Sequence, residues 1–142
     1  MFNSILVVCT GNICRSPIGE RLLQKEFPGK KVDSAGIDAL VDHPADQSSV
    51  EVAERHDLSL AGHKARQLSR RMLNNYDLIL AMDKSHIDFI DRLAPEVRGK
   101  TMLYGHWLGG KEIPDPYRKS QDVYDIVWQL IEQASKGWTT RL

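Results

Sequence analysis

Four consecutive apolar residues, Ile5-Leu6-Val7-Val8, run straight into Cys9-Thr10-Gly11-Asn12-Ile13-Cys14-Arg15-Ser16-Pro17. A strand that is apolar on every residue has both faces covered, the condition of a parallel strand inside an α/β sheet. A short loop follows at once, and Pro17 suits the first turn of a helix. This strand–loop–helix unit constrains chemistry as well as fold. Loop N–H groups that converge at the positive end of a helix form an anion site. Gly11 supplies the backbone freedom that such a tight loop requires. Arg15 offers a planar fork to two phosphate oxygens, which a lysine would not match. The same field favours thiolate over thiol at Cys9. The stretch therefore predicts a phosphate bound against a nucleophilic cysteine. As a plain strand end Cys9 would be one more buried thiol, a reading that explains neither Arg15 nor the Gly11-Asn12 pair.

At 142 residues the chain reads as one domain, 1–142, long enough for a sizeable core. Its 42% apolar and 27% charged residues place it among soluble globular proteins. Lys plus Arg and Asp plus Glu number 19 each, so the formal charge is zero and no nucleic-acid partner is expected. No apolar run approaches the roughly 20 residues of a membrane span, and no membrane insertion is expected. The N-terminus lacks the pattern of a signal peptide. Both cysteines lie in one loop, so no disulfide framework is implied and a cytoplasmic location is expected.

Along the chain, Ile5 to Cys9 reads as a strand and Ser16 to about Phe27 as a helix ended by Pro28-Gly29. Lys31 to Ser34 is a short strand before an Ala35-Gly36 turn. Residues 46–56 read as helical, with Val50, Val52 and Ala53 inward, and 69–75 as a further helix. Leu78 to Met82 is a second apolar strand. Ser85 to Leu93 is a helix stopped by Pro95, and Thr101 to Tyr104 a shorter strand. After a long loop over 105–117, the last helix runs from about Gln121 to Trp138. Val123, Val127, Leu130, Ile131, Ala134 and Trp138 form its core stripe. Strands alternating with helices predict an α/β three-layer sandwich: a four-stranded parallel sheet flanked by helices, with the phosphate loop after the first strand. In that architecture ligands bind beyond the carboxyl ends of the strands.

A phosphocysteine route also needs an acid to protonate the departing oxygen. Asp115, in Ile113-Pro114-Asp115-Pro116-Tyr117, is the candidate, because flanking prolines stiffen the backbone that aims it. Tyr117 is placed to stack on an aromatic substrate. The five histidines show no metal-ligand spacing, and neither a metal nor another cofactor is expected. Trp107, Trp128 and Trp138 are read as packing residues. Arg66, Arg70 and Arg71 are read as a solvated helix face. Two readings of Cys14 stand open, a small apolar filler or a trap for an oxidised Cys9.

The chain resembles the low-molecular-weight protein tyrosine phosphatases nearly end to end. Leu6 to Pro17 looks like that family's phosphate loop. Asp33-Ser34 before Ala35-Gly36, Gly62-His63-Lys64-Ala65-Arg66-Gln67, Met82-Asp83 and Asp115-Pro116-Tyr117 match its other signatures in order. The resemblance implies Cys9 as nucleophile, Arg15 as phosphate clamp and Asp115 as general acid. Thr10, Gly11, Asn12, Ile13 and Cys14 would complete the loop, and Ser16 would donate a hydrogen bond to the thiolate. Asn12, in a left-handed conformation held by Ser34 and His63, would brace it. Where eukaryotic members carry a tryptophan on the cleft wall this chain has Leu40, and where they carry two tyrosines it has Tyr117-Arg118. Both look like the bacterial members that act on autophosphorylating tyrosine kinases of capsule or exopolysaccharide export. The implied partner is a phosphotyrosine protein, the cytoplasmic tail of such a membrane kinase. Three alternatives remain: a thiol-dependent arsenate reductase on the same fold, a cysteine phosphocarrier domain of sugar transport, and a silent phosphotyrosine-binding module. The first would need cysteines beyond Cys14, which this chain lacks; the second requires neither Arg15 nor Asp115. The presence of all three chemical groups speaks against the third.

Overall fold

A computed structural model describes residues 2–142. Its four strands, β1 (Ser4–Cys9), β2 (Lys31–Gly36), β3 (Leu78–Ala81) and β4 (Thr101–Leu103), form one sheet in the order β2-β1-β3-β4. Every neighbouring pair is parallel, with Val7 opposite Ser34 on one side and Leu80 on the other. Five α-helices connect or follow the strands: α1 (Arg15–Glu26), α2 (Gln47–Arg55), α3 (Arg70–Asn74), α4 (Lys84–Leu93) and α5 (Gln121–Trp138).

The pleat explains the three layers. Side chains alternate across a strand, so Ile5 and Val7 of β1 join Leu78 and Leu80 of β3 on one face. There they pack with Ile18, Val52, Val127, Trp128 and Ile131 from α1, α2 and α5. Leu6, Val8, Ile79 and Ala81 face the other way, against Leu73 and Ile90 from α3 and α4. All four residues Ile5–Val8 are inaccessible to solvent, as a doubly covered strand requires. The chain leaves β1 toward β2 on one side and β3 on the other, so a crevice opens beyond their carboxyl ends. Among the described residues no helix is long and apolar enough to cross a membrane.

Several local expectations are revised. Ala35-Gly36 is not a turn: β2 continues through Gly36, which pairs with Cys9 and also bridges Gln67. The glycine is needed for close approach, since a Cβ there would lie 2.4 Å from the Thr10 carbonyl oxygen. Pro95 does more than stop α4; it opens a 3₁₀ turn over Pro95–Lys100. In α5 the buried slots go to Tyr124 and Trp128 along with Val127, Ile131, Ala134 and Trp138, leaving Val123 and Leu130 partly covered. Val50 of α2 is likewise only partly buried. Trp107 stays partly exposed, its ring edge-on to Trp138 under the Arg141 guanidinium.

Candidate active site

Cys9 ends β1 at the crevice, and residues 10–14 turn tightly into α1. The turn is tied down from outside. Its carbonyls accept in sequence: Cys9 O from Ile37 N at 3.0 Å, Thr10 O from Asp38 N at 3.0 Å and Gly11 O from Leu40 N at 3.1 Å. Ile13 O accepts from Asp46 N at 2.8 Å, and Cys14 O from the Ser49 hydroxyl at 3.1 Å. In a trans peptide the N–H points opposite to the carbonyl of the same plane. Carbonyls turned outward therefore turn the following N–H groups to the inner side of the loop. That is a cradle for an anion, built from backbone alone.

Asn12 carries the strain. Its φ of 59° is left-handed, and it is wholly buried. Such a conformation costs an L-residue about 1–2 kcal/mol, so the surroundings must over-determine it. They do. Asn12 Nδ2 donates to Ser16 Oγ at 2.8 Å and Ser34 Oγ at 2.9 Å. Its Oδ1 accepts from Arg66 N at 2.8 Å, and its carbonyl accepts from His63 Nε2 at 2.5 Å. One bond decides another: because Ser16 Oγ accepts from Asn12, its own proton is free to donate to Cys9 Sγ, 2.9 Å away. That donation stabilises a thiolate. Arg66 is thus not part of a helix face with Arg70 and Arg71. It lies in the extended segment before α3, its amide on Asn12 and its guanidinium on the Ser34 carbonyl at 3.2 Å.

Arg15 is almost fully buried. Nη1 donates to Asp83 Oδ2 at 3.0 Å and to the Ile113 carbonyl at 2.9 Å, and Nη2 donates to Thr10 Oγ1 at 3.1 Å. Nε is buried and has no partner among the described residues. Buried donors are rarely left so unless a ligand satisfies them. Asp83 caps α4 through the His86 amide. Burial pushes its carboxyl up, but the Ser85 hydroxyl, His86 and Arg15 outweigh this and hold it below the ordinary carboxylate value. His86 has no exposed surface, and burial pulls its imidazole down to about 4, with Asp83 and Arg15 acting in opposite directions.

The cleft floor holds Cys9, Gly11 and Arg15, while Ile13, Leu40 and Tyr117 wall it and Asp38 and Asp115 stand at the rim. Asp115 is half-exposed, its Oδ2 4.0 Å from Arg15 Nη2 and its Oδ1 accepting from Tyr117 N at 3.0 Å. Thr10 and Cys14 also line the cleft, whereas Asn12, Ser16, Ser34 and His63 stand behind it as braces. Cys14 faces the Tyr124 hydroxyl at 3.9 Å, and burial, then Asp46, pushes its thiol up to about 12. It is held as a neutral thiol. Sequence reasoning missed His86, Asp38 and the Ile113 carbonyl. The first is buried by the fold, and the third is a backbone atom with no residue signature.

A model of the family described as low molecular weight phosphotyrosine protein phosphatase matches residues 4–142. The chain belongs to this family. Low molecular weight protein-tyrosine-phosphatase Etp of Escherichia coli strain K12 is 62% identical over 141 residues, 99% of this chain and 95% of its own length. The crystal structure of the tyrosine phosphatase Wzb from Escherichia coli K30 in complex with sulphate is 59% identical. It superposes with a TM-score of 0.97 over 99% of each chain. Vibrio vulnificus Wzb in complex with benzylphosphonate, 49% identical, also has a TM-score of 0.97, over the whole of both chains. The protein is therefore an enzyme, a protein-tyrosine-phosphatase, and its relatives are bacterial, as Leu40 and Tyr117-Arg118 lead one to expect. The α/β sandwich with its phosphate loop after β1 is the fold of those phosphatases.

Proposed function

We propose that this phosphatase hydrolyses protein phosphotyrosine through a phosphocysteine, with Cys9 as nucleophile, Arg15 as clamp and Asp115 as general acid. In the first step the Cys9 thiolate attacks phosphorus in line. The S–P bond forms as the bond to the phenolic oxygen breaks, and Asp115 gives its proton to that oxygen. In the second step water attacks the phosphocysteine. Asp115, now a carboxylate, takes a proton from the water, the S–P bond breaks, and inorganic phosphate leaves the restored thiolate. Arg15 and the inward N–H groups stabilise the charge on the transferring phosphoryl group. Thr10, Gly11, Asn12, Ile13, Cys14 and Ser16 form the cradle, with Ser34 and His63 holding Asn12. The reaction needs no cofactor and no metal on this reading, because arginine and amides supply the positive field.

One observation carries the proposal: Cys9, Arg15 and Asp115 line the same cleft, and the buried Arg15 Nε has no partner among the described residues. Leu40 and Tyr117 flank that cleft with apolar surface suited to an aromatic ring. The sulphate and benzylphosphonate complexes of the two Wzb relatives are an oxyanion and an aromatic phosphonate, which fits. We place residues 1–142 as one catalytic domain in the cytoplasm. Its proposed substrate is the phosphorylated cytoplasmic tail of a membrane tyrosine kinase in capsule or exopolysaccharide export, with neither nucleic acid nor membrane insertion involved. The bacterial relatives and the Tyr117-Arg118 pair support that assignment. The test is phosphate release from a phosphotyrosine peptide with chelator present and no phosphodonor or thiol relay added. Release is expected from the parent and abolished by Cys9→Ser, which should still bind vanadate. Turnover by Cys9→Ser within tenfold of the parent would end the cysteine route.

A further inference from the structure

We propose that His86 is a positioning residue for this reaction, which fixes the Thr10 hydroxyl so that its single proton faces the phosphate cradle. This rests on the phosphoryl-transfer reading above, but its first test does not. The His86 ring is enclosed and bonded at both nitrogens. Nδ1 lies 3.3 Å from the Asp83 backbone N–H, which can only donate, so Nδ1 accepts. Asp83 Oδ1 is also 3.3 Å from Nδ1, but that oxygen is already taken by the Ser85 hydroxyl at 2.5 Å and the His86 amide at 3.2 Å. The proton of the neutral ring therefore sits on Nε2 and is donated to Thr10 Oγ1 at 2.9 Å. Arg15 Nη2 donates to the same oxygen at 3.1 Å.

A hydroxyl oxygen has two lone pairs, and both are now occupied. Thr10 cannot turn its own proton toward either donor. The remaining direction is the cleft, which Thr10 lines beside Cys9, Arg15 and Asp115. A threonine hydroxyl ordinarily rotates to suit its partners; this one is aimed in advance at an incoming phosphoryl oxygen. Preorganised donors of this kind act on charge that develops in the transition state, and so on kcat more than KM.

Two measurements decide it. In the unmodified enzyme, long-range proton–nitrogen correlation near neutral pH should show His86 with a protonated Nε2 and a bare Nδ1. The opposite tautomer would overturn the proposal, whatever becomes of the phosphocysteine route. In kinetics on a phosphotyrosine peptide, Thr10→Val should lower kcat by about tenfold with KM within about twofold, and Thr10→Ser should recover most of that loss. His86→Leu should lower kcat comparably in the parent yet add nothing to Thr10→Val. If His86→Leu does not fold, His86→Gln, which keeps an amide donor toward Thr10, should hold kcat within about twofold of the parent, and a larger loss that multiplies with that of Thr10→Val would overturn the proposal. Multiplying losses, or a change confined to KM, would show that His86 only supports packing. Turnover retained by Cys9→Ser would end the phosphocysteine route yet leave the tautomer result untouched, so the two readings fail separately.

Discussion

The phosphate cradle and the acid loop face each other across one cleft but are held by different means. Around the cradle, the six successive carbonyls of Cys9 to Cys14 and every polar group of the Asn12 side chain are bonded, and nearly all of it is buried. Across from it, Pro114 to Lys119 is anchored by Ile113 N on the Met82 carbonyl at 2.8 Å and by short internal bonds, with Asp115 half in water. Stiffness there comes from Pro114 and from Pro116, whose ring is buried, while every other residue of the stretch is exposed. The difference matches the two tasks proposed for them. A charge-stabilising site must be rigid before substrate arrives, whereas a group that gives and then takes a proton needs access to water.

The largest expected effect breaks the cradle. Arg15→Lys should cut kcat on the order of 10³-fold for every aryl phosphate, whatever its leaving group, since an ammonium cannot span two oxygens in a fixed plane. A near-normal kcat with only a raised KM would assign Arg15 to uniform binding. Next comes the acid loop. Asp115→Asn should slow phosphotyrosine hydrolysis by about 10²–10³-fold, yet cost far less with an acidic phenol that leaves as its anion. Equal losses on both substrates would make Asp115 a loop-positioning residue, and the comparison between the two sides of the cleft would collapse.

A smaller effect lies in stability. The folded His86 ring titrates at about 4 against an ordinary 6.5, because burial favours its neutral form. Below pH 6.5 the unfolded chain binds the proton and the folded one does not. The stability gained by neutrality is complete above about pH 6.5 and drains away as pH falls toward 4, on the order of 3 kcal/mol in all. Urea unfolding of the parent should weaken across that window, and His86→Gln should flatten the dependence. The smallest effect belongs to the open wall. Tyr117→Ala should raise KM for phosphotyrosine peptides severalfold, with an unchanged Tm, if the part-exposed ring serves to stack on substrate rather than to pack. A lowered Tm would place Tyr117 in the packing instead.

Much of the fold was legible wherever a signal was local. Ile5–Val8 declares a doubly covered strand by being apolar throughout, and α5 declares itself by an 18-residue stripe that ends in Trp138. Gly36 misled because its local meaning is a turn, while its actual reason is the Thr10 carbonyl across the sheet. Arg66 misled in the same way: beside Arg70 it reads as surface charge, and only the fold brings it to Ser34. That Cys9, Arg15 and Asp115 meet in one cleft was legible because two are neighbours in one loop and the third sits between prolines. His86 carried no such mark. Its partner Thr10 is 76 residues away in sequence.

The bonds from Ile37, Asp38 and Leu40 to the cradle's carbonyls are made by backbone N–H groups alone. The side chains at 38 and 40 therefore carry none of the strapping, although both stand in the cleft. A lineage can rewrite those two positions, and with them the shape and charge that meet a protein substrate, without loosening the machinery beneath. Diversity of targets and constancy of chemistry can thus be inherited on the same short segment, one through its side chains and the other through its main chain.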